Sequence, residues 1–317
     1  MGMKGGEIKK MNRILKYAIY ALIGMWIGLH TAKSDTISLI LENDTLSFPK
    51  KDESYTHGTE IKYMIEKQFW TFDNYGFSVQ QNMYGPKLDK TDNMKQGEHP
   101  YCGYLAFNFI GEQWLNNLSL NHQIGFGCVG SHTYAEQTQR YIHKVLGCKD
   151  PKGWKKWQIR DEFTVQYQMY ANWNVELFDV NQLNGYLIPR IGIEVGGFKD
   201  MCAIGLDFKF GLNAPMNSGS EIILSAPLKK KKDVWSLFAK VGVEGRCVFH
   251  DTAIEGGFFR DSPYTLDAET FVGEFHWGTG LEYKSFEIAY SQFIRTKEYE
   301  TNYRRPNYGQ LLLKYEF

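Results

Sequence analysis

The residues able to do chemistry in this chain stand in a few short clusters. Glu42, Asn43 and Asp44 form one, and Tyr55, Thr56, His57 and Gly58 another. Residues 83–87 read MYGPK, and residues 98–101 read EHPY. Gln139 and His143 lie four apart, a spacing that puts both on one face of a helix. Imidazole titrates near working pH, so His143 is a candidate general base; the competing reading is an exposed helical histidine without a task. Asn43 and Asp44 offer the hard oxygen donors that calcium takes. An Asx turn opening a loop is the commoner explanation of an isolated Asn-Asp pair. Thr56 can be a ligand, a nucleophile or a β-branched strand residue. No G-x-S-x-G elbow occurs, which leaves a conventional serine lipase without support.

The elements that must position these clusters announce themselves by alternation. Thr59, Ile61, Tyr63 and Ile65 alternate with Glu60, Lys62, Met64 and Glu66. The same period of two runs through Phe286, Ile288 and Tyr290, and through Leu311, Leu313, Tyr315 and Phe317. Such segments of about ten residues mark a transmembrane antiparallel β-barrel whose apolar side chains face lipid. A soluble β-sandwich would alternate similarly, but the terminal aromatic and the N-terminal segment favour the barrel. Twelve strands are predicted: 36–43, 56–66, 75–84, 102–112, 118–129, 162–176, 184–197, 201–213, 234–249, 269–283, 284–295 and 307–317. The even count suits a single-chain barrel. With the chain starting on the periplasmic side, loops after odd strands lie on the extracellular rim. All the polar clusters map there.

One segment breaks the pattern. Residues 134–147 favour helix, with Ser131 or Thr133 as N-cap, Glu136 in the first turn, Lys144 near the end, and Gly147 and Pro151 as stops. A helix at this place must pack on the barrel or lid a site.

Bulk properties agree. Of 317 residues, 20 are Tyr and 21 are Phe, as membrane-interface belts require. A mean hydropathy of -0.41 argues against a helical membrane protein. Residues 17–29 form the one strongly apolar run. Lys9, Lys10, Arg13 and Lys16 precede it, and Ala32-Lys33-Ser34 offers a cleavage site. Residues 1–34 therefore read as a signal peptide, with Met11 an alternative start, and 35–317 as one outer-membrane barrel domain. The segment 1–34 carries six Lys/Arg and one Glu, so the remainder has net charge -5 rather than zero. Nothing points to nucleic acid. Five cysteines without a C-x-x-C pair argue against a disulfide framework or zinc site, leaving room for one bridge.

Together the clusters resemble the LpxR family of lipid A 3′-O-deacylases. The matching words are LENDTLS at 41–47, SYTHG at 54–58, HPYCGYL at 99–105, the helix through Gln139 and His143, and Gly147 followed by Pro151-Lys152-Gly153-Trp154. Phe259-Arg260-Asp261-Ser262-Pro263, Arg295-Thr296-Lys297-Glu298 and the last strand follow. Their order across the chain carries the resemblance. It implies a twelve-stranded outer-membrane barrel, with lipopolysaccharide as substrate, Ca2+ as cofactor and no partner chain. His143 would be the base; Asn43, Asp44 and Thr56 would form the metal and oxyanion region; Gln139 would support the site. Lys87 would meet a lipid A phosphate. The alternatives are another outer-membrane lipid hydrolase, such as a phospholipase, or a non-catalytic barrel acting as pore or binding protein. Two departures stand out. The family commonly has Asp-Arg-Pro-Tyr-Ala-Gly-Tyr where this chain has Glu98-His99-Pro100-Tyr101-Cys102-Gly103-Tyr104. The loop 44–55 also looks short.

Overall fold

The computed structural model describes residues 35–48, 55–86, 97–147, 151–216, 234–302 and 306–317. The expected signal peptide 1–34, Lys87 and the basic run 229–232 lie outside the described residues. The first strands are β1 (Thr36–Asn43), β2 (Tyr55–Ile65), β3 (Asn74–Tyr84), β4 (Cys102–Leu115), β5 (Leu118–Val129) and β6 (Glu162–Trp173). The rest are β7 (Val175–Val180), β8 (Leu183–Gly196), β9 (Lys199–Leu212), β10 (Ser236–Asp251), β11 (Phe271–Tyr283), β12 (Phe286–Arg295) and β13 (Asn307–Glu316). Among the described residues, three α-helices sit at the long-loop end: α1 (Ala135–Leu146), α2 (Trp154–Trp157) and α3 (Thr252–Glu255).

Every strand is antiparallel to its neighbours, and the sheet closes on itself. β1 pairs β13 from Thr36↔Glu316 to Asn43↔Gly309. β6 pairs β8 from Gln166↔Gly196 to Asn172↔Arg190. Twelve strands thus form a barrel without free edges, the condition for a sheet to survive in hydrocarbon. The thirteenth, β7, lies outside the closure and pairs only with the start of β8. Here the sequence reading merged two elements, because 162–176 looked like one strand. The chain instead leaves the barrel after Trp173 and returns through Asn181 and Gln182, both at positive φ. Two successive left-handed residues make the tight turn that hairpins favour.

The faces are inverted relative to a soluble protein. Outward positions carry exposed Phe77, Val79, Phe107, Ile191, Ile204, Val243 and Ile288. Inward positions carry buried Lys62, Glu112, Arg190, Asp207, Glu244, Glu274 and His276. These inner charges pair with one another. Arg190 bridges Asp207 and Glu244 at 2.9 Å each, and His276 Nε2 lies 2.8 Å from Asp207. Arg246 and Arg295 both bind Glu274, at 2.9 and 2.7 Å. Buried charge is tolerated only in such paired form. What remains is a lumen cavity of about 180 Å³. Aromatic residues roof it at the long-loop end, where Tyr104 and Phe198 stack at 3.9 Å. At the opposite end Trp235 stacks on Tyr283 and Phe286 meets Tyr315, an interfacial belt. The terminal Phe317 amide donates to the Asp35 carbonyl at 3.0 Å, extending the β1–β13 seam. Cys102, Cys128, Cys202 and Cys247 are free thiols.

Candidate active site on the outer wall

The site is built where β1, β2, β3 and β4 reach the long-loop end, on the outside of the barrel. Asn43 is the last residue of β1 and stands opposite His57 of β2. Two residues of β2, Thr56 and His57, oppose the single Met83 of β3. This bulge interrupts the alternation. Tyr55 turns inward, where it packs with Phe293 and Tyr308 and its hydroxyl donates to Glu42. Thr56 stays beside His57. A bulge is the usual device for re-aiming one side chain at a strand end.

Asn43 spends its whole carboxamide here. Its Nδ2 donates to the Thr56 carbonyl at 2.7 Å and lies 3.5 Å from His57 Nδ1. Its Oδ1 accepts from the Thr45 amide at 2.8 Å and from the Thr45 hydroxyl. Asn43 is therefore the cap of a 3-10 turn, Asp44–Leu46, which is the Asx reading of the Asn-Asp pair. Asp44, in that turn, is 3% exposed. His57 contributes its Nε2 to the Thr59 hydroxyl at 2.7 Å. It belongs to the second polar cluster of the sequence, and the β1–β2 register is what sets it opposite Asn43.

The helix arrives from the other side. α1 begins after Tyr134, in the left-handed region, and ends at Gly147, likewise left-handed. Neither expected cap acts as a simple N-cap. The Ser131 hydroxyl binds the Asp161 carboxylate at 2.8 and 2.9 Å. Thr133 donates to the Gly130 carbonyl at 2.6 Å and only weakly receives the Ala135 amide, at 3.4 Å. Packing holds the helix instead. Ala135, Gln139 and His143 recur every four residues; the first two are buried and His143 is half-buried. Met83, an outward residue of β3, is 0% exposed because this segment covers it with Tyr101, Ala135 and Trp154. Gly103 permits the approach, since a methyl group there would overlap the Thr133 hydroxyl and the Ala135 side chain.

Gly85 lies between the two sides. A methyl group on Gly85 would sit 3.9 Å from the Thr56 hydroxyl and 3.1 Å from the Tyr101 ring. Tyr101 packs on Trp154 with ring centroids 4.8 Å apart, and its hydroxyl donates to the Lys152 carbonyl at 2.7 Å. Trp154 Nε1 donates to Gln139 Oε1 at 2.7 Å. Gln139 is thus the joint between helix and wall, one turn before His143. Asn43 and Thr56 are joined directly, with Asp44 in the adjoining turn, while Gln139 is joined to Tyr101 through Trp154.

His99 stands where the LpxR pattern has Arg, and it does not reach outward. It is 3% exposed. Its Nδ1 donates to the Pro100 carbonyl at 2.7 Å, and its ring stacks on Tyr84 and meets Tyr299 edge-on. It belongs to the lumen roof. Burial pushes its pKa below the usual histidine value, against the pull of the Pro100 bond and of Asp251 and Glu298. The folded roof therefore resists a proton that the opened segment accepts below about pH 6.5. Stability contributed by neutral His99 is lost as pH falls through that value towards the lower folded one. Protection factors of the amides in residues 97–103, taken relative to intrinsic exchange at each pH, should fall from about pH 7.5 to about pH 5, and His99→Gln should flatten the dependence. An equal fall in the variant would assign it to other groups.

A closed barrel with a lipid-facing wall and a charge-paired lumen defines an outer-membrane protein. The family model for outer membrane protein LpxR matches residues 17–317, and the chain belongs to that family. LpxR from Salmonella typhimurium has the same fold, with a TM-score of 0.78 at 17% identity over 89% of this chain and all of that one. The β domain of the Bordetella autotransporter BrkA (9% identity, 90% and 99% coverage) reaches only 0.47. The translocator domain of NalP from Neisseria meningitidis (8%, 98% and 98%) reaches 0.41. No curated protein sequence matches the chain.

Proposed function

We propose that the protein is a lipid A 3′-O-deacylase that hydrolyses the ester of the 3′-linked acyl group in the outer leaflet. The observation carrying this reading is the placement of α1. It packs against the outside of β3 and β4, so Gln139 and His143 lie on the lipid side of the wall, away from the lumen. A pore or a lumenal binding protein has no use for that arrangement.

His143 takes a proton from water as the water oxygen attacks the ester carbonyl carbon. The tetrahedral intermediate collapses with cleavage of the acyl C–O bond. His143 returns the proton to the departing sugar oxygen, leaving a free fatty acid and a 3′ hydroxyl group. Gln139, tied to Trp154, fixes the helix turn that presents His143. Asn43 and Asp44 line the rim, and the Thr56 bulge keeps its hydroxyl on the same side.

The donors at the rim suit a hard cation. Asp44 supplies a buried carboxylate and Thr56 a neutral oxygen, and Asn43 Oδ1 would join them on releasing Thr45. Among the described residues no group of three or more His, Cys, Asp or Glu is placed to hold a metal. A single carboxylate implies weak affinity, of the order of 10⁻⁴–10⁻³ M for calcium. When bound, the ion would polarise the ester carbonyl and stabilise the oxyanion.

Mass spectrometry of lipid A from cells with and without the gene tests substrate and bond together. The expected result is loss of the 3′-linked acyl mass only when the protein is present, suppressed by a chelator and restored by millimolar calcium. An unchanged acyl pattern in calcium-replete cells sinks the proposal. Fatty acid released from phospholipid instead would establish the phospholipase alternative.

A further inference from the structure

Gln292 stands where the outward pattern of β12 calls for an apolar residue. Phe286, Ile288 and Tyr290 precede it on the lipid side. An amide on that wall is costly unless both of its ends are bonded. Gln292 is 1% exposed, because residues 44–48 fold back over it. Its Oε1 accepts from the Phe48 amide at 3.2 Å, and its Nε2 donates to the Phe48 carbonyl at 2.6 Å. The same Nε2 donates to Asn307 Oδ1 at 2.9 Å. The side chain thus treats Phe48 as an adjacent strand would.

Two further contacts hold this segment. The Tyr290 hydroxyl donates to the Leu46 carbonyl at 2.8 Å. Gly309 provides the notch beneath: a methyl group there would lie 2.6 Å from the Leu46 oxygen and 2.8 Å from its Cβ. Within the turn, the Ser47 amide and hydroxyl both donate to the Asp44 carbonyl, at 3.1 and 2.6 Å. The segment is pinned at one end by Asn43 and Thr56 and at the other by Gln292. Buried Asp44 lies between the pins.

We propose that Gln292 is a positioning residue of the outer-wall site: by clamping the Phe48 backbone it fixes the 44–48 turn and, through it, the Asp44 carboxylate. The role in turnover rests on the hydrolase reading; the clamp itself does not. The barrel has no need of the amide, since β12 already pairs with β11 and β13 through its backbone. A leucine there would suit the lipid and leave the turn unheld.

The test uses the full chain refolded or extracted as an intact barrel, with Gln292→Leu and Gln292→Glu. Amide exchange across residues 44–48 reads the clamp, and kcat and KM for 3′-acyl release read its consequence. In Gln292→Leu, protection of the turn should fall and kcat should drop about tenfold or more, with KM within about twofold. Glu keeps an acceptor for the Phe48 amide but cannot donate to its carbonyl when ionised, so it should fall between Leu and wild type. Wild-type protection in Gln292→Leu, or a loosened turn with unchanged kcat, would overturn the proposal. If the Leu variant fails to assemble, the Glu variant carries the same readouts. If wild-type protein releases no acyl chain, the hydrolase reading fails, while exchange still decides whether Gln292 holds the turn.

Discussion

Replacing His143 by alanine should reduce 3′-acyl release by about 10²–10⁴-fold, the range that a positioned general base contributes. The barrel should form as before. His143 lies on α1, outside the closed ladder, and no strand pairing depends on it. The control is heat-modifiable gel mobility, which reports barrel closure separately from turnover. Glutamine in its place keeps polarity without a titratable ring and should be as inactive as alanine. A His143→Ala protein that retained a tenth or more of wild-type activity would move the base elsewhere on the rim.

Trp154→Ala should be nearly as damaging, for a different reason. Trp154 is among the largest fully buried side chains and lies between Tyr101 and Gln139. Truncating a buried tryptophan costs about 3–5 kcal/mol. The loss falls on the docking of α1 and α2 rather than on the ladder. A helix as short as α1 is marginal in water without tertiary contacts. The expected result is a closed barrel with an unprotected helix and turnover lowered about a hundredfold, the cost of misplacing a catalytic group by an ångström or so. Trp154→Phe keeps most of the packing but leaves the buried Gln139 Oε1 without its donor, so it should cost about 1–3 kcal/mol. Activity would then be largely kept. Full activity in Trp154→Ala would show that the helix finds its place without this joint.

The barrel was legible because lipid outside and charge inside impose a period of two on almost every strand. Thr59, Ile61 and Tyr63 against Glu60, Lys62 and Met64 suffice to orient β2. β7 was not legible: Val175–Val180 pairs on one side only, and its residues are mostly exposed on both faces, so it carries no alternation. The helix was readable from composition, but not its start, because docking over Gly103 and Met83 replaces the expected cap. The site was readable as clusters, and the antiparallel register brings Asn43 opposite His57. The supporting residues were hidden. Trp154 and Met83 look like ordinary apolar residues until the helix is placed. Gln292 violates its strand's pattern, yet a single polar residue in a barrel strand says nothing without the loop that covers it. His99, which departs from the family pattern in sequence, is a roof residue stacked on Tyr84.

The external position of α1 also changes what concentration means for this protein. Molecules that reach a site on the side of a barrel travel within a two-dimensional film, so encounter frequency follows their mole fraction among neighbouring lipids rather than their amount per volume. Adding inert detergent to a fixed quantity of substrate would slow the protein by surface dilution alone. In an intact leaflet packed with substrate the same geometry would leave it permanently saturated, and control would have to act on access to the rim rather than on supply.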